Sequence, residues 1–285
     1  MRKFVLLFLL YFAITAVFSY QWPSNKDYLS SVFGSFTGDN ILDGIEFDSE
    51  NQAIYPITDG EIVFYQDSFE FGDLDYNGEE GNILILKHVG EFKSIYRNFS
   101  TSDSFTQTKN LSKSELIGVS SGVYDSFIFS LYDDKKDSYI NPQQILPFLL
   151  DDRKPVISSV YIDNLETRGK LTRNISLNPG LSRIYIDAWD VVRIRGKYKK
   201  FTPFSVNVFV DGFERYNTSF SSLKEIDKTI YLSGNSDVPL KDIISGGTLL
   251  YGGDVYLTTG SSLIEIVIKD IEGNEASRSY PVVVK

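Results

Sequence analysis

Leu263-Ile264-Glu265-Ile266-Val267-Ile268-Lys269-Asp270, with Glu272-Gly273-Asn274 and Ser279–Val284 behind it, decides the fold. Ile264, Ile266 and Ile268 alternate with Glu265, Val267 and Lys269, the period of two that a strand with one buried face requires, and the Gly-Asn turn folds the chain back as a hairpin. Outward from this hairpin the same signature recurs over Glu61–Gln66, Asn82–His88, Phe127–Tyr132, Arg183–Trp189 and Phe204–Val210, each bounded by Gly, Asn, Asp or Pro. No stretch sustains a helical period. Short helices are expected only at Lys26–Phe33 and at Pro142–Leu149, where Pro takes the first helical position. The chain reads as mainly β.

Composition narrows the function. The chain has 285 residues, 42% hydrophobic, 14% aromatic and 23% charged, enough apolar content for a packed core. Lys+Arg 28 against Asp+Glu 38 gives a net charge of −10, so nucleic acid and anionic membrane are excluded as main partners by repulsion. The absence of Cys removes disulfides, thiolate metal sites, thiol nucleophiles and lipid anchors on Cys. The sequence holds one His, so no chemistry that needs two imidazoles can be built within one copy.

Met1-Arg2-Lys3, an apolar run from Phe4 to Phe18 and Val17-Phe18-Ser19 form the three parts of a secretory signal peptide over residues 1–19. The run is about 15 residues, short of the roughly 20 that span a bilayer, so no transmembrane span is expected after cleavage. An exported chain without Cys suits a bacterial periplasm or cell surface. Asp151-Asp152-Arg153-Lys154 before Pro155 is charged and disfavours helix. It is read as a linker over 151–154, between a first domain over 20–150 and a second over 155–285. Four Asn-x-Ser patterns, at Asn98, Asn110, Asn174 and Asn217, carry no weight in a chain this rich in Asn and Ser.

Eight fragments of the first domain occur in a telling order. They are Phe33-Gly34; Leu42-Asp43-Gly44-Ile45-Glu46-Phe47; Thr58-Asp59-Gly60-Glu61-Ile62-Val63; Gly81-Asn82-Ile83-Leu84-Ile85-Leu86-Lys87-His88; Ser94-Ile95-Tyr96-Arg97-Asn98-Phe99; Ile117-Gly118-Val119-Ser120-Ser121-Gly122; Ser126-Phe127-Ile128-Phe129-Ser130-Leu131; and Ile140-Asn141-Pro142. In this order they resemble the lysostaphin-type (LytM) zinc endopeptidases, which cut peptide cross-bridges of bacterial cell walls. The resemblance implies an antiparallel LytM-like sheet. It also implies a loss, because the family's zinc ligands correspond to Leu42, Glu46 and Ile128, and its two further histidines to Asn98 and Ser126. Leu42 and Ile128 offer no lone pair, and Glu46 alone is no three-ligand platform. No cofactor is therefore expected, and the zinc reads as lost, with the apolar replacements packing where the metal would sit. His88, the surviving imidazole, ends a strand and is read as a hydrogen-bonded structural residue. No G-x-S-x-G elbow supports a Ser-His-Asp triad.

Asp73-Leu74-Asp75-Tyr76-Asn77-Gly78 copies the first half of a calcium loop, with Asp73, Asp75 and Asn77 as oxygen donors. Position twelve is Leu84 rather than Glu, so a solvated hairpin loop is the competing reading.

The second domain resembles the immunoglobulin-like modules of bacterial surface proteins, through its terminal hairpin, Ile184-Tyr185-Ile186-Asp187-Ala188-Trp189-Asp190 and Val206-Asn207-Val208-Phe209-Val210-Asp211-Gly212. A β-sandwich follows. Trp189 reads as a core or sheet-face residue. Arg193–Lys200, the densest basic stretch, reads as a solvated loop, or else as a patch for an acidic partner. The expected function is an inactive peptidase homologue that binds peptidoglycan or a wall hydrolase. A residual hydrolase using Glu46 and an adhesin-like surface module are the alternatives.

Overall fold

The computed structural model describes residues 20–37, 40–48, 50–67, 81–103, 105, 109–120, 126–149, 151–164, 168–173, 175–232, 235–245 and 249–285. The expected signal peptide over 1–19 and the loop from Asp73 to Gly78 lie outside these residues. The described residues are nearly all β, arranged in sheets that are antiparallel except where Ser176–Leu177 pairs in parallel with Val283 and Val284. Its strands of three or more residues are β1 (Leu29–Ser31), β2 (Gly44–Asp48), β3 (Gly60–Gln66), β4 (Ile83–Lys87), β5 (Phe92–Arg97), β6 (Ser126–Asp133) and β7 (Ser138–Ile140), followed by β8 (Val156–Asp163), β9 (Arg168–Lys170), β10 (Gly180–Ile194) and β11 (Lys197–Phe201). Then come β12 (Ser205–Val210), β13 (Phe213–Ser219), β14 (Ser222–Ile226), β15 (Thr229–Leu232), β16 (Asn235–Pro239), β17 (Leu249–Leu257), β18 (Gly260–Lys269) and β19 (Glu275–Val284).

In the first half, β3, β4, β5, β6 and β7 hydrogen-bond in that order, and β2 joins β6 on the side away from β5. Alternation sets the faces. Ile45, Phe47, Leu84, Leu86, Tyr96, Phe127, Phe129 and Leu131 point inward and are fully buried, while Glu46, Ile83, Ile85, Ile95, Arg97 and Ile128 lie on the opposite, half-buried face. Aromatic rings fill the inner layer, with Phe47 stacked on Phe127 at 5.5 Å and Tyr96 edge-on to Phe129 at 5.2 Å.

The second half packs β9-β8-β10-β17 against β19-β18-β12-β13 around one apolar core that includes Val160, Ile184, Ile186, Val206, Val208 and Ile266. The terminal hairpin pairs residue for residue from Lys269↔Glu275 to Gly260↔Val284, the register that puts Ile264, Ile266 and Ile268 inside.

The two halves exchange elements. β10 runs about 50 Å, at roughly 3.3 Å per residue, and its far end leaves the sandwich with β11, burying Val192, Ile194 and Phe201 in the first core. Conversely, β14 pairs with β7 through Tyr139↔Leu223 and Ile140↔Ser222, so β14, β15 and β16 prolong the first sheet. Phe33 of the first half completes the second core.

Three expectations require correction. Lys26–Phe33 is a single 3-10 turn at Lys26–Tyr28, capped by Asn25, and then becomes β1, because Leu29 is fully buried opposite Phe47 and tertiary pairing outweighs local preference. Pro142–Leu149 is likewise a 3-10 turn at Pro142–Gln144; Pro147 disfavours helix in the residue before it. Arg193–Lys200 is no loop. It spans the end of β10, a two-residue turn with both Arg195 (φ 50°) and Gly196 (φ 76°) left-handed, and the start of β11.

Candidate functional site

The sheet register brings two of the five family-derived positions together. Ile128 on β6 lies opposite Glu46 on β2 and, on its other side, opposite Arg97 on β5. These three side chains share one row of the half-buried face, since directly paired residues project to the same side. Ser126, at the start of β6, pairs with Asp48. Leu42 precedes β2, is buried, and is anchored by its backbone, with its N–H on Ser35 O and its carbonyl accepting from Gly34 N–H, both at 2.9 Å. Asn98 follows β5 in the left-handed region at φ 62°, where Asn is better tolerated than most side chains. Its Oδ1 accepts the N–H of Gly81 at 3.3 Å, so it braces a turn rather than facing Ile128.

Beside that row sits a polar knot that the sequence reading missed. Arg97 Nη2 donates to Asp43 Oδ1 and, at 2.7 Å, to Ser130 Oγ, while Ser130 Oγ donates to Asp43 Oδ1 at 2.9 Å. Gly44 permits it. A Cβ there would lie 2.1 Å from the Phe129 carbonyl, so only glycine lets β2 close on β6 and carry Asp43 to Ser130. Tyr139 flanks the knot, its hydroxyl held above its ordinary range by burial first and then by the charge of Asp43. The one available signal was Arg97, a cation on an otherwise apolar half of the strand face.

Zinc does not fit these residues. Two of its three positions are hydrocarbon, and the row's third member is a guanidinium, a fixed positive charge that repels a dication. His88 is committed elsewhere. It is 5% exposed, its Nδ1–H donates to Asp59 O at 2.8 Å, and Nε2 accepts from Ser94 Oγ at 2.6 Å. A carbonyl only accepts, which assigns the proton to Nδ1. Burial holds this imidazole below its ordinary range, so it stays neutral. Its ring stacks on Phe92 at 4.9 Å and fills the space over Gly60, where a Cβ would come within 2.8 Å of it.

Three side chains of the basic stretch make contacts within the protein, while Arg193 and Lys197 are exposed. Arg195 pairs with Glu50 at 3.2 Å and lies 4.4 Å over the Tyr28 ring, and Lys199 reaches Asp48 at 3.2 Å and the Leu29 carbonyl at 2.9 Å. These contacts clamp the β10–β11 hairpin to β1 and β2. Lys200 stands 3.5 Å over the ring of Trp189, a half-buried sheet-face residue.

A family model that bears no descriptive name matches residues 154–285. No curated protein matches the chain. Among solved structures, Csd3 of Helicobacter pylori is similar over 46% of this chain and 34% of its own, with a TM-score of 0.36 and 17% identity. The SpoIIQ–SpoIIIAH pore-forming complex is similar over 46% of this chain and 92% of that chain, with a TM-score of 0.35 and 13% identity. CbpA of L. salivarius REN is similar over 40% of this chain and 78% of its own, at a TM-score of 0.30 and 14% identity. The present chain thus spans about a third of the Csd3 chain it matches. Among the described residues, no helix is long and apolar enough to cross a membrane.

Proposed function

We propose that this chain is an exported, catalytically inactive relative of the LytM endopeptidases that acts in a bacterial envelope by binding, its second half serving as an immunoglobulin-like module. The observation that carries this reading is the row Glu46–Ile128–Arg97 with its Asp43–Ser130 knot. A peptidase of this kind needs a cation at that place that polarises water, and an arginine there binds a carboxylate without doing so. The motif order of the first half supports kinship with the family, and the hydrocarbon at Leu42 and Ile128 supports loss of the metal. The partner of this sheet face is read as peptidoglycan or a wall hydrolase. The half-buried face of β3 to β6, with Phe64 45% exposed next to Ile85 and Ile95, offers it an apolar floor.

The test uses the full chain. Purified protein is incubated with wall sacculi and, separately, with wall amidases and endopeptidases, while zinc content and muropeptide release are measured. Retention on sacculi or on a hydrolase, with no stoichiometric zinc and no release, is expected. Stoichiometric zinc together with release would instead establish a residual metalloendopeptidase, and retention on neither target would leave the adhesin-like alternative.

A further inference from the structure

Four carboxylates from three separate stretches converge where the first half of the chain passes into the second. Asp151 lies just before β8, Asp190 on β10, and Asp270 and Glu272 in the turn between β18 and β19. One oxygen from each lies within 4.8 Å of all the others. Asp270 and Asp190 are 2% and 5% exposed. Asn274 holds Asp270 rigidly, its N–H on Oδ1 at 2.7 Å and its Nδ2 on Oδ2 at 2.8 Å. Asp190 Oδ1 accepts the N–H of Val191 at 2.7 Å, and Asp151 Oδ1 that of Arg153 at 3.0 Å.

A second observation points to a cation as the ligand. Asp151 Oδ2 is completely buried and has no hydrogen-bond partner. A buried carboxylate oxygen without a donor is strongly disfavoured unless a proton or an ion meets it. No side chain supplies that charge, since among the described residues no Lys or Arg forms an ion pair with any of the four acids. Arg153, two residues from Asp151, turns away, with Nη2 2.6 Å from the Tyr198 hydroxyl and its guanidinium 4.2 Å over that ring. The group is therefore preassembled by backbone and Asn274 but electrostatically incomplete.

We propose that Asp151, Asp190, Asp270 and Glu272 form a calcium site that ties the interdomain junction to the β18–β19 turn. All donors are carboxylate oxygens, with no imidazole or sulfur, which selects a hard cation over zinc or copper. Magnesium keeps most of its waters and binds through one or two carboxylates, whereas calcium takes six to eight oxygens in flexible geometry and suits four converging acids. Asn274 acts as the orienting partner that fixes Asp270, as second-layer groups do at metal sites. Because the ligands lie far apart in sequence, only the folded chain presents them, and bound calcium holds Asp151 against the sandwich.

The chelator-stripped full chain is titrated with calcium chloride by calorimetry and melted with and without the ion. One calcium per chain is expected, with a rise in Tm of about 5–10 °C at a hundredfold excess over Kd and a weaker response to magnesium. Glu272→Gln and Asp190→Asn should each abolish both signals. Each removes a repelling charge, so these variants fold without calcium and their melting curves verify it. Asp73→Asn should leave both signals intact. The proposal is overturned if wild type gives neither heat nor shift, if the response survives Asp190→Asn combined with Glu272→Gln, or if it vanishes in Asp73→Asn.

Discussion

Asp43 and Asp270 both sit at strand ends of antiparallel sheets, yet their surroundings are opposite. Asp43 lies against Arg97 and Ser130 and is compensated within the protein. Asp270 faces Asp151, Asp190 and Glu272, and among the described residues no Lys or Arg forms an ion pair with any of them. A carboxylate removed from water needs a counter-charge, a proton or an ion, and the fold answers differently in the two places. Beside the Glu46–Ile128 row, a side-chain cation, Arg97, fills that role for Asp43. At the junction, the role remains open to an external cation. Capacity for metal is thus set by what neutralises the acids, not by how many acids there are.

The largest effect expected from this comparison is on Arg97. Arg97→Ala strands Asp43 and should destabilise by about 2–3 kcal/mol, below the full buried-pair range because the two side chains keep 30% and 21% of their surface exposed. Urea unfolding measures it. Recovery is expected when Arg97→Met is combined with Asp43→Leu, and a neutral Arg97→Ala would show that the knot compensates nothing.

Next comes the pH response of chelated protein, taken as the difference between wild type and Glu272→Gln. Glu272 is raised from 4.5 to about 7 by burial and then by Asp270. Below pH 4.5 both states carry the proton and no penalty exists. As pH climbs to 7 the unfolded chain loses the proton freely while the folded chain resists, so wild type loses about 1–2 kcal/mol relative to the variant, allowing for partial exposure. His88 works in the opposite sense and cancels in the difference. Its lowered folded pKa means stability present above 6.5 is lost as pH falls through the folded value. A flat difference curve would refute the uncompensated cluster.

Leu42→His with Ile128→His restores two imidazoles of the family pattern, the second of them directly opposite Glu46. With Arg97 in place zinc should bind weakly, and adding Arg97→Gln should tighten it about tenfold, roughly 1.4 kcal/mol, measured by competition with a chelating dye. Equal affinities would mean that Arg97 does not guard the row. The smallest effect belongs to the hairpin clamp. Arg195→Ala removes an ion pair with both partners 49% exposed and one ring contact, and should cost no more than about 0.5 kcal/mol in thermal unfolding.

Much of the fold was legible because strand periodicity is a local property. All seven strand runs read from alternation are strands, with ends displaced by a few residues. Lys26–Phe33 was not, because Leu29 belongs to a strand only through its distant partner Phe47. Arg193–Lys200 was misread as a loop because Arg195-Gly196 lacks the usual Asn or Asp of a tight hairpin, and of its charges Arg195, Lys199 and Lys200 also contact Glu50, Tyr28, Asp48 and Trp189. At the candidate site, the missing imidazoles could be read from the sequence, whereas the substitute could not. Arg97 meets Asp43 across two strand registers that no spacing announces.

Composition and alternation, read without any coordinates, determined that this is a β protein with a single imidazole, because counts and period-two patterns do not depend on which strands meet. Only the tertiary structure decided that β10 and β11 enter the first core, that an arginine shares the row of Glu46 and Ile128, and that Asp151, Asp190, Asp270 and Glu272 converge within 4.8 Å of one another. Electrostatic energy depends on distance and burial, and for residues this far apart along the chain both quantities exist only once the sheets have paired.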